Sequence, residues 1–144
     1  MDKLNLRLIS LAGAVAAMSA WPAAAQSQTV GWAPSYSGPA APTDLSGRNL
    51  SGWTLSGANF KEAKLDYSVM RGVQAIAVNL EKADLTGADM RGAVLTNAKL
   101  SEAIFAGTRL QDIKAAGADL RKALLHGANL QDAELVGANF EGAE

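Results

Sequence analysis

From Thr43 onward the chain repeats every five residues without a slip, and this period is incompatible with both common ways of building a core. The multiples of five from Leu45 to Phe140 are all apolar: Leu at most, Phe at 60, 105 and 140, Met at 70 and 90, Ala at 75 and 115. Two residues before these centres stands a second, smaller position, which is Ala at 58, 63, 83, 88, 93, 98, 103, 118, 123, 128, 133 and 138. In an α-helix five residues advance the chain by about 500°, so successive centres would walk around the cylinder. In a flat strand an odd spacing would send alternate centres to opposite faces. Only a chain that turns a corner every five residues keeps all of them inward.

The glycines mark the corners. Every Gly beyond Gly38 lies two residues after a centre, as at 47, 52, 57, 72, 87 and 92. The third residue of a type II turn has positive φ, which Gly adopts without strain. Asn97, Asp112 and Asp132 share that slot and are the next most tolerant side chains. Glu62, Tyr67, Ala77, Lys82, Glu102 and Lys122 also occupy it, and for these six the rule predicts a different turn.

A longer period of twenty is visible as well. Glu62, Lys82, Glu102 and Lys122 alternate in sign at intervals of twenty, which would stack opposite charges in one outer column if four pentapeptides close a turn. The two small centres, Ala75 and Ala115, lie forty apart, and each has a large residue two positions earlier, Val73 and Ile113. On the same expected face Leu95 and Leu135 pair with Ala93 and Ala133, so a fixed volume is divided between two inward positions. Trp53 breaks the small-residue pattern, as expected of a first coil with an open end.

Ala-Asn-Phe-Lys-Glu at 58–62, Ala-Asp-Leu-Thr-Gly at 83–87 and Ala-Asp-Met-Arg-Gly at 88–92 match the A(D/N)LXX signature. So do Ala-Asp-Leu-Arg-Lys at 118–122 and Ala-Asn-Leu-Gln-Asp at 128–132. On these repeats, residues 43–144 resemble the pentapeptide-repeat family. The resemblance implies an all-β fold, a right-handed quadrilateral β-helix. Twenty pentapeptides would give about five coils and a rod about 24 Å long.

The segment before the repeats has a different character. Lys3 and Arg7 precede a run from Leu8 to Trp21 that is apolar apart from Ser10 and Ser19. Pro22-Ala23-Ala24-Ala25 follows, with small residues placed for cleavage after Ala25. This layout predicts a secretory signal peptide over 1–25; the apolar run is shorter than the roughly 20 residues that span a bilayer. No stable membrane span is expected after cleavage. The expected address is exported, periplasmic or an equivalent lumen. Residues 26–42 are rich in Pro, Ser and Gly and read as a lead-in; Trp32 and Tyr36 would either cap the open end of the repeats or sit in a loose tail.

Nothing in the repeats assembles into reactive chemistry. The chain has no cysteine and one histidine, His126, at an outward position. Asp or Asn recurs just before the centres, as at Asp44, Asn49, Asp84 and Asp89. Side-chain bonding to the turn backbone accounts for these residues more simply than calcium binding or acid–base work. No catalytic, metal or cofactor residue is assigned, and no cofactor is expected.

The candidate contact surface is apolar. Ile76, Val94 and Val136 stand at outward positions of one expected face, next to Ala77 and Ala116. Phe140, with Leu125, Leu130 and Leu135, lines the final coil, where no cap is visible; a homodimer through that coil would cover it. The first expectation for function is an exported, non-catalytic structural or interaction module with a protein partner. The alternative implied by the resemblance is a DNA-mimicking, topoisomerase-binding protein, which would require a strongly negative rod in the cytoplasm. Of 13 Lys/Arg and 14 Asp/Glu, only Lys3, Arg7 and Asp2 precede residue 26, which leaves a net charge of −2. That balance favours neither DNA mimicry nor nucleic-acid binding.

Overall fold

The computed structural model describes residues 44–144. The expected signal segment 1–25 and lead-in 26–42 lie outside the described residues. Within them the chain is an all-β solenoid in which one residue of each pentapeptide bridges to a neighbouring turn. The bridges are parallel and always twenty residues apart: Asp44 to Lys64, Asn49 to Val69, Thr54 to Gln74, Asn59 to Asn79, and so on to Asp119 with Asn139. Four pentapeptides therefore close each turn, and the solenoid has four faces. They are named here after their first centres: the Leu45, Leu50, Leu55 and Phe60 faces.

The hydrogen bonds follow from this register. Each centre from Leu45 to Leu125 donates its amide to the next turn, as Leu65 N to Asp84 O at 2.7 Å. The residue two beyond donates in the same direction, as Tyr67 N to Thr86 O at 2.8 Å. The residue just before a centre donates backward, as Val69 N to Arg48 O at 2.8 Å. A fourth amide closes the corner onto the preceding centre, as Ser68 N to Leu65 O at 3.1 Å. One amide in five is left over, that of the residue after the centre.

That remainder explains the recurrent Asp and Asn. Each accepts the leftover amide two residues on: Ser46 N to Asp44 Oδ1 at 3.1 Å, Lys61 N to Asn59 Oδ1 at 3.2 Å, Thr86 N to Asp84 Oδ1 at 3.0 Å and Glu141 N to Asn139 Oδ1 at 2.9 Å. The side chain closes a local turn, as the sequence reading expects.

The corners require one correction. Glu62, Tyr67, Ala77, Lys82, Glu102 and Lys122 do not use another turn type; they adopt φ between 53° and 61°, like the glycine corners at 62° to 72°. A left-handed residue with a side chain costs about 1–2 kcal/mol. Each of the six donates its amide to the next turn, as Glu62 N to Glu81 O at 2.8 Å and Lys82 N to Ser101 O at 3.0 Å. Each corner is also closed by a turn bond, as Ala63 N to Phe60 O at 3.0 Å. Two hydrogen bonds at about 0.5–1.5 kcal/mol each offset the strain. The register imposes the geometry, and the residue type only sets its cost.

The core is a stack of two inward positions per pentapeptide. Leu50, Leu65, Met70, Leu85 and Phe105 are almost fully buried, and so are Ala58, Ala63, Ala83, Ala88 and Ala103 between them. Val73 with Ala75, and Ile113 with Ala115, are all buried, in keeping with one inward volume shared in different proportions. Trp53 is only partly buried against this core. Two hydroxyls intrude on the Leu50 face: Thr108 Oγ1 donates to Leu85 O at 2.7 Å, whereas Ser68 Oγ has no partner among the described residues.

Candidate interaction surfaces

Three of the four candidate contact residues share one face, spread over three turns, and the fourth lies on another. Ile76 and Val136 occupy the same outward slot of the Leu55 face, 44% and 82% exposed. They are sixty residues apart, so three turns and about 14 Å separate them along the axis. Val94 stands between them, half-buried, bridged to Gln74 and Lys114. Phe140 belongs to the Phe60 face and points to the core, where it is partly buried with Leu125, Leu130 and Leu135. His126 is exposed, and among the described residues no three His, Cys, Asp or Glu side chains are grouped to hold a metal ion.

The Phe60 face bears the expected charge ladder only in part. Lys82 Nζ lies 3.7 Å from Glu102 Oε2, whereas Glu62 and Lys122 form no ion pair among the described residues. The neighbouring slot contributes Lys61 with Glu81 at 3.3 Å, and Arg121 clamps Asp119 through Nε at 2.8 Å and Nη2 at 2.6 Å. Each cation in these three pairs has one acid. The Asp119 carboxyl is accordingly held below its ordinary range, first by the Arg121 hydrogen bond.

The Leu50 face is different. Asp89, its side chain 5% exposed, is met by three arginines from three consecutive turns. Arg91 donates through Nε to Oδ1 and through Nη2 to Oδ2, both at 2.8 Å. Arg71, one turn earlier, donates Nε to Oδ2 at 2.7 Å, and Arg109, one turn later, holds Nη1 3.8 Å away. The Asp89 carboxyl is held far below the usual carboxylate range, chiefly by the Arg91 hydrogen bond, with that of Arg71 adding to it, while burial opposes the shift. Arg91 is correspondingly pushed up by Asp89. The three arginine side chains are 56%, 41% and 61% exposed.

Tyr67 stands at the corner leading into this face, 67% exposed. Its ring lies over Gly87 in the next turn, so close that a Cβ there would be 2.7 Å from the ring. The sequence reading misses both features. The twenty-residue register does align Asp89 with Arg109 and Arg71 with Arg91, but the shortest contact in the cluster is diagonal, across eighteen residues from Arg71 to Asp89. A column-by-column reading does not pair them.

Residues 43–73, 76–112 and 103–142 match the family described as Pentapeptide repeats, in eight copies. A comparison with curated proteins finds no match. Among solved structures, a pentapeptide repeat protein of the Arabidopsis thaliana thylakoid lumen is 28% identical, with 72% of each chain covered and a TM-score of 0.43. Another, from Nostoc PCC 7120, is 29% identical over 64% of this chain and 75% of that one, with a TM-score of 0.44. The plasmid-mediated fluoroquinolone resistance protein QnrB1 is 18% identical over 72% and 79%, with a TM-score of 0.33.

Proposed function

This chain belongs to the pentapeptide-repeat family, and from that premise we propose that it is an exported, non-catalytic module whose rigid solenoid faces bind a protein partner. The observation that carries the reading is the exposed apolar pair Ile76 and Val136 on one face, with Val94 between them. The repeat backbone is tied turn to turn, so these side chains are presented in a fixed array with little ordering left to lose on binding. In this reading residues 1–25 are removed on export to a periplasm or equivalent lumen, and residues 43–144 form about five right-handed coils. Among the described residues no helix is long and apolar enough to cross a membrane. DNA mimicry finds no support in a repeat surface with a net charge near −2 and an arginine-rich face.

Two measurements test this. Protein recovered from its native host should begin Gln-Ser-Gln-Thr, and a photo-crosslinking side chain at position 136 should label a partner that the same group at 126 does not. Full-length protein confined to the cytoplasm, or identical labelling from both positions, would refute the reading. A second copy abutting the coil of Leu125 to Glu144 would cover the partly exposed Leu130, Leu135 and Phe140. Light scattering should then report a dimer that Phe140→Lys dissociates.

A further inference from the structure

The cations of the Phe60 face that are paired have one acid each, whereas three arginines of the Leu50 face share Asp89. One carboxylate satisfies one guanidinium bidentately, and Asp89 already does so with Arg91 through two donors at 2.8 Å. Arg71 also reaches Oδ2, through Nε and Nη2 at 2.7 Å, whereas Arg109 only approaches it at 3.8 Å. Three cations thus face one acid, and neither Arg71 nor Arg109 has another among the described residues. Asp89 holds the heads of Arg91 and Arg71 by hydrogen bonds, with the head of Arg109 within 3.8 Å. The cluster spans three turns, about 10 Å along the axis.

We propose that Arg71, Arg91 and Arg109 form a docking site for a short carboxylate-rich segment of a protein partner. The proposal rests on the reading of the chain as an interaction module but concerns a different face from Ile76 and Val136. Three features define the occupant. These half-exposed side chains still have donor groups not engaged by Asp89, and Arg109 donates no side-chain hydrogen bond at all among the described residues. Their planar fork matches carboxylates bidentately, as the Arg91 clamp on Asp89 already shows. The patch is also small and bordered by acids: Asp112 and Asp132 occupy corners of its own face, and Asp66 and Asp84 lie on the adjacent one. A continuous phosphate backbone would run onto those acids, whereas a cluster of two or three carboxylates fits inside the border. Tyr67, exposed at the entrance corner, offers a ring for the apolar part of such a segment.

The test uses the full chain and a capped peptide of four consecutive glutamates, with binding read by fluorescence anisotropy at low ionic strength. Arg109→Gln is the informative variant because it breaks no hydrogen bond of the fold. It should weaken binding about fivefold, the upper range for an exposed ion pair. Arg71→Gln with Arg109→Gln should weaken it more than about fivefold, the size of the further loss reporting their coupling through Asp89. Arg121→Gln, on the opposite face, should change it by less than about twofold, and added salt should weaken binding throughout. The proposal is overturned if the peptide does not bind, or if Arg121→Gln weakens it as much as Arg109→Gln. Tighter binding of a single-stranded oligonucleotide of equal charge would overturn it in favour of nucleic acid. Displacement of the peptide by equimolar inorganic phosphate would overturn it in favour of a small oxyanion. Crosslinking from position 136 is independent of all these outcomes, so loss of the arginine site leaves the apolar-face reading standing or falling by itself.

Discussion

Replacing Asp89 with Asn keeps the shape of the side chain and one carbonyl oxygen, so the turn bond from Arg91 N can persist while the charge is lost. Two guanidiniums then lose a charged acceptor at 2.7–2.8 Å, and three arginines are left facing one another. Hydrogen bonds to charged groups contribute about 1.5–3 kcal/mol each when sheltered, but these arginines are 41–61% exposed, and solvent screening takes away much of that. With the added repulsion, the expected loss for the sheltered carboxylate as a whole is about 2–3 kcal/mol at neutral pH. The pH dependence is the sharper signature. The folded carboxyl titrates far below the unfolded value of about 3.9, so on acidification the unfolded chain takes up its proton first. The stabilisation is complete above about pH 5 and declines as pH falls through about 4 towards the folded titration. Urea midpoints of the native chain and the Asp89→Asn variant, measured between neutrality and about pH 3, should therefore converge on acidification. A gap that stays constant over that whole range would refute the account of Asp89 as an ionised anchor.

Two further substitutions probe the architecture by the same denaturation assay. Ala75→Leu should destabilise by about 1–3 kcal/mol through overpacking, and adding Val73→Ala should recover much of it; strict additivity would mean the two side chains do not share one space. Gly87→Ala and Gly92→Ala place Ala at nearly the same φ, 65° and 67°. The first should cost more because the Tyr67 ring must move, while nothing lies within 4 Å at the second. Tyr67→Ala should abolish that difference.

The five-residue period is enough to read the solenoid from sequence because an unbroken odd spacing leaves few geometries. The period of twenty is legible from the alternating charges at 62, 82, 102 and 122, although only Lys82 with Glu102 forms an ion pair among the described residues. Turn type is misread at six corners when propensity is weighed residue by residue. In the structure two backbone bonds per corner override it. The placement of Ile76, Val94 and Val136 on one face, with Phe140 elsewhere, is legible in the same register. The arginine cluster is not, because long side chains reach diagonally between neighbouring turns and no column contains the whole set.

The bridging position itself shows that the fold does not require this cluster. That position is occupied by Lys64, Val69, Gln74, Ile104, Lys114 and Leu124 as readily as by Asp or Asn, and the parallel bridges continue through all of them. At Asn49, Asn79 or Asn129 a neutral amide accepts the leftover turn amide at 3.0 Å, so the turn needs no charge at 89. With neutral residues at 71, 91 and 109 as well, a neutral residue at 89 would spare the protein the cost of sheltering a carboxylate. Nor does the ladder call for arginine at 71, 91 and 109, since outward slots elsewhere hold Ser, Thr, Gln and Ala. Sheltering an anion and surrounding it with three cations on consecutive turns therefore stabilises this region without being required by the five-residue period. Its physical result is a preorganised surplus of guanidinium donors at one fixed point on the rod, which is what recognition of a carboxylate cluster demands.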